Sequence, residues 1–115
     1  MALMRMWILA ALALLAALPV HAEVTLEEDG WNAPEGPVAA ARHPALNAVL
    51  SEYVGASGAR VELAHDGESA GTAWAREVRD WLVVLGIPGS RIWTEAGGAE
   101  PGTLRLAVRP GGAER

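Results

Sequence analysis

His65 and Asp66 stand side by side in the stretch "AHDGESAG", and Glu68 follows just beyond Gly67. An imidazole beside a carboxylate could relay a proton or hold a metal. Zinc, however, needs three or four convergent ligands, and beyond residue 22 only His43 and scattered acids could join His65. No metal centre and no cofactor are expected. Asp66 and Glu68 have another use: just before a helix, acids favour the positive end of its dipole and cap free amides, for about 0.5–2 kcal/mol. The alternative is contact with a ligand. Trp31, in the Gly/Pro stretch "GWNAPEGP", follows no periodicity. It either covers the open end of the core or is presented to a partner or a sugar ring. Asp66, Glu68 and Trp31 are therefore the candidate ligand-binding residues.

No catalytic constellation emerges beside them. Ser57, Ser69 and Ser90 fall in turns or caps without a nucleophile-elbow pattern, and Glu27-Glu28 belong to a solvated edge. "GAEPG" lacks the spacing of a phosphate loop. No catalytic residue is assigned, and an enzyme is not expected.

The elements that must position these residues follow from periodicity. Val24 and Leu26 alternate with polar neighbours, as in a short strand, and residues 30–37 read as a loop. Pro44 opens a helix with His43 just outside it. Leu46, Val49, Leu50 and Tyr53 recur at helical spacing before Gly55 stops it. "ARVELAH" reads as a half-buried strand. A second helix is expected over residues 72–85, with Trp74, Val78, Trp81, Leu82 and Leu85 on one stripe. Trp74 and Trp81 are thereby expected in the core. Arg76, Arg79, Asp80 and Val83 lie opposite, where Arg76 and Asp80 can pair. Gly86 suits a left-handed cap and Pro88 forbids continuation. "RIWTE" and "TLRLAVRP" read as strands around a "GGAEPG" turn, and residues 111–115 as a frayed tail. The resulting order is strand, helix, strand, helix, strand, strand. That is an α/β sandwich with two helices packed on one face of a small mixed sheet.

Composition narrows the setting. Residues 1–22 carry one arginine, then the apolar run "WILAALALLAAL", then "PVHA". A spanning helix needs about 20 apolar residues, so this shorter run reads as a signal peptide cleaved after Ala22. One domain over residues 23–110 and a periplasmic location are the expectation. The 115-residue chain has no cysteine, which removes disulfides, thiolate ligands and a lipid-modified cysteine together. All nine cations are arginine against fourteen acids, for a formal charge of -5. Such a field repels nucleic acid and anionic lipid.

The phrase "VRDWLVVLGIPGSRI" resembles the C-terminal peptidoglycan-associating domain of the OmpA-like family. Trp81-Leu82, Gly86-Ile87 and Arg91-Ile92 correspond to its aromatic-Leu, Gly-Ile and basic-residue positions, and Trp74-Ala75 to its Arg-Ala. The resemblance, over roughly residues 44–108, implies an OmpA-like fold and a ligand site before the second helix. There the family uses an Asp for the ammonium of a diaminopimelate side chain and an Arg for its carboxylate. Asp66 matches the Asp. The loop is shorter here, its Asn and Leu-Ser pair are missing, and Trp74 replaces the Arg. The reading is a non-catalytic exported binding or scaffolding module that contacts another envelope component. Peptidoglycan bound through Asp66 and the second helix's N-terminus is the alternative, and a small periplasmic enzyme is the third and least favoured reading.

Overall fold

A computed structural model describes residues 22–111. The signal-peptide reading of residues 1–22 lies outside the described residues except for Ala22, which opens the first strand. The strands are β1 (Ala22–Glu27), β2 (Arg60–His65), β3 (Ile92–Ala96) and β4 (Thr103–Arg109). The helices are α1 (Pro37–Arg42), α2 (Pro44–Gly55) and α3 (Ser69–Val84). Together they make an α+β fold whose single mixed sheet has the order β1-β4-β2-β3. The central strand β4 runs antiparallel to both β1 and β2, while β2 and β3 are parallel.

Alternation along the strands sorts the sheet into two faces. Val61, Leu63 and His65 of β2, with Leu104, Leu106 and Val108 of β4, are buried on the helix-bearing face. Against them pack Leu46 and Val49 of α2 and Trp74, Ala75, Val78 and Leu82 of α3. Each large aliphatic side chain buried this way stabilises the fold by roughly 1.5–3 kcal/mol. The opposite face is charged. Glu62 accepts from Arg60 Nε at 3.1 Å and from Arg109 Nε at 3.0 Å, and Arg60 also lies over the Trp93 ring at 4.6 Å. Burial pushes the Glu62 carboxyl up, but the hydrogen bonds and charges of Arg109 and Arg60 outweigh this and leave it below its usual value.

The expected two helices become three. Residues 37–42 form the short helix α1, which the Gly/Pro punctuation around it obscures. Pro37 occupies the first turn, where its missing N–H costs nothing, and "VAAAR" continues it. His43, with ψ of 124°, ends α1 because the residue before Pro44 is driven out of the helical region. The second expected helix begins at Ser69, three residues earlier than its apolar stripe suggests. It ends as expected: Gly86, at φ +111°, donates to Val83 O at 2.9 Å, and Ile87 donates to Leu82 O at 3.1 Å. This pair of bonds satisfies two end carbonyls and buries Ile87 against the core. Gly111, placed by the sequence in a frayed tail, instead donates to Ser57 O at 3.1 Å. Residues 112–115 lie outside the described residues.

Candidate functional site

The start of α3 collects most of the chain's polar candidates. Asp66 Oδ1 accepts from the Glu68 amide at 2.9 Å, closing a turn around Gly67, whose φ is +88°. Gly71 lets that carboxylate lie against the first helical turn, since a Cβ there would come within 2.1 Å of Asp66 Oδ1. Glu68 is the cap residue, yet its side chain makes no capping bond and is exposed. Its carbonyl accepts from both the amide and the hydroxyl of Thr72, each at 2.8 Å. The structure thus brings Asp66 and Glu68 together through a backbone bond, with the two carboxylates in different surroundings.

His65 ends β2 on the helix-bearing face and is only 6% exposed. Its Nδ1 accepts from the Gly67 amide at 3.1 Å and lies 3.5 Å from Thr72 Oγ1. Because Nδ1 accepts the Gly67 N–H, the neutral ring carries its proton on Nε2. The His65 carbonyl accepts from Gly97 at 2.7 Å and from Gly98 at 3.1 Å, which ties the end of β2 to the β3–β4 turn.

Beside this ring runs a groove of about 350 Å³, between α3 and the edge strand β3. It exists because α3 covers β2 and leaves the outer strand partly bare. Leu63 and His65 are buried, whereas their partners across the register, Thr94 and Ala96, are exposed. Thr94 and His65 line the groove, and Arg76, Arg79 and Asp80 border it from the helix. The sequence assigns these three helix residues to the side opposite the apolar stripe, which is correct. Their enclosure depends on strand order, which no local pattern shows. Arg76 and Asp80, four residues apart, are not paired. The open sheet face, by contrast, carries ion pairs of Arg60 and Arg109 with Glu62 and of Arg105 with Glu23. Exposed pairs of long side chains gain little over solvent. Arg79 Nη2 donates to the Gly89 carbonyl at 3.1 Å, a neutral acceptor that fixes the guanidinium without neutralising it.

Trp31 lies on the other flank of α3. Its ring centroid is 5.0 Å from His43 and 6.1 Å from Trp74, both tilted contacts within the favourable range for aromatic pairs. Trp74 is 8% exposed and belongs to the core, and Trp81 packs partly buried against it. Trp31 Nε1, His43 Nδ1 and Trp74 Nε1 are all buried without a protein hydrogen-bond partner. Rings fill the space beside Trp74, and farther along this flank Ala33, Pro34 and Trp81 border a shallow groove with Arg76 and Asp80. Among the described residues, no group of three or more His, Cys, Asp or Glu could hold a metal ion, and no helix is long and apolar enough to cross a membrane.

No protein-family model, curated protein or solved structure matches the chain.

Proposed function

We propose that this chain is a non-catalytic binding or scaffolding module of the cell envelope, periplasmic after removal of residues 1–22, which docks another envelope protein. The observation that supports this reading is the state of Trp74. It stands where the OmpA-like resemblance calls for an arginine, and it is buried against Trp31 rather than free beside the loop. The position that the resemblance gives to the arginine thus carries no positive group, and Arg76 lies around the helix in the groove with His65 and Thr72. A charge left unmatched in a partly buried site loses on the order of 2–3 kcal/mol, and each 1.4 kcal/mol is about tenfold in affinity. The domain is therefore expected to sediment with purified sacculi at least tens of times more weakly than an intact OmpA-like domain does.

Peptidoglycan is the second reading, and one observation favours it. Asp66 Oδ1 is engaged by the Glu68 amide, but Oδ2 accepts no protein hydrogen bond and could take an ammonium. Co-sedimentation with sacculi, wild type against Asp66→Ala, separates the two. Tight sedimentation that Asp66→Ala abolishes makes peptidoglycan the ligand. Weak sedimentation, with a specific protein retained from periplasmic extract by the immobilised domain, supports the scaffold.

A further inference from the structure

The groove between α3 and β3 holds two guanidinium groups that nothing in the fold neutralises. Neither Arg76 nor Arg79 has an ion-pair partner among the described residues, although Asp80 borders the same groove. On the open sheet face, by contrast, Arg60, Arg105 and Arg109 each meet a carboxylate. Arg79 is additionally held in place by its bond to Gly89 O, and a Cβ at Gly89 would come within 2.8 Å of Arg79 Nη2. The position is thus built around that side chain. At the base of the groove stands His65, buried, with Nδ1 already accepting and its neutral-state proton therefore on Nε2. A space of about 350 Å³ is within the range of small-molecule sites.

We propose that this groove is a binding site for a small monocarboxylate, held by Arg76 and Arg79 beside His65. The guanidinium fork matches the planar pair of oxygens of a carboxylate. The charge count selects the class. Two arginines and one aspartate leave a net single positive charge, so a singly charged anion is matched while a doubly charged phosphate meets the Asp80 carboxylate. Asp80 in turn favours a ligand with a hydrogen-bond donor beside its carboxylate, as in a 2-hydroxy acid. His65, Arg79 and Thr94 place the site on the flank of α3 away from Trp31, with Arg76 and Asp80 at the crest of the helix, and it stands whether or not the domain docks an envelope partner.

The test is an NMR titration of the described domain at constant ionic strength with lactate, lactamide and inorganic phosphate. Lactate is expected to shift the Thr94 amide and the Arg76 and Arg79 side-chain resonances saturably. Lactamide, which has the same shape without the charge, is expected to bind at least tenfold more weakly, and phosphate more weakly than lactate. Arg76→Gln, at an exposed position with no partner to lose, is expected to weaken lactate at least tenfold while leaving the melting curve unchanged. Equal binding of lactate and lactamide, tighter binding of phosphate, or an unchanged lactate affinity in folded Arg76→Gln would each overturn the proposal.

Discussion

The two flanks of α3 answer the same problem in opposite ways. On one side the helix meets the loop after β1, and Trp31, His43 and Trp74 close the space with rings. On the other it meets an edge strand that it only half covers, and Arg76 and Arg79 border a groove that stays open. Both flanks belong to one helix, and Arg76 and Arg79 stand nearly half a turn around it from Trp74. The difference teaches that packing and recognition divide along a helix by what lies beneath it. Over the inner strands the side chains must be apolar, and over the edge they are free to keep their charge.

Breaking the closed flank carries the largest expected effect. Trp74→Ala removes a core ring and leaves Trp31 and His43 unsupported, which should destabilise the fold by about 3–5 kcal/mol in a denaturant melt. A loss under about 0.5 kcal/mol would place the tryptophan on the surface instead. The junction between the flanks is next. Gly71→Ala drives the Asp66 carboxylate off the helix start and should cost about 1 kcal/mol, the scale of a lost cap. In an Asp66→Ala background the obstruction is gone, and the same change should stabilise by about 0.5–1 kcal/mol, because alanine outperforms glycine inside a helix.

The open sheet face supplies a smaller, pH-dependent effect. Glu62 titrates below its ordinary value in the folded state. Its contribution is therefore present above the ordinary carboxylate range, about pH 4.3, and is lost as the pH falls through the lowered folded value. Glu62→Gln should flatten that part of the acid-stability profile, with a difference under about 1 kcal/mol at neutral pH since the pair is partly solvated. An acid limb as steep as that of the wild type would assign the dependence to other carboxylates. The smallest stability effect belongs to the open flank. Arg76→Gln should change the melt by less than about 0.5 kcal/mol, so that what it alters is binding.

How much of this was legible in the sequence follows from the range of each signal. The stripe from Trp74 to Leu85 repeats over about three turns and names its own buried face, and the Gly86-Ile87-Pro88 stop is local chemistry. The start of α3 was hidden because "GESAG" reads as a loop until Asp66 closes the turn that precedes it. Helix α1 was hidden by prolines that in fact sit at its start and just beyond its end. Trp31 has no periodic neighbours, and its packing on Trp74 joins segments far apart in the chain. The groove needed most: Arg76 and Arg79 could be placed on the polar side of a helix, but their enclosure arises from β3 being the outermost strand. That is a property of the whole sheet.

The place of β4 in the sheet governs the order in which the chain can fold. The last strand in sequence is the one that joins β1 to β2. Until Thr103–Arg109 arrives, β1 has no strand to pair with, and β2 pairs only with the parallel edge β3, so the sheet lacks its centre. Much of the native pairing is long-range, and closure waits on the end of the described chain. A fragment ending near Gly97 would keep all three helices and the whole apolar stripe yet should stay unfolded, and the chain through Arg109 should acquire its structure in one cooperative step.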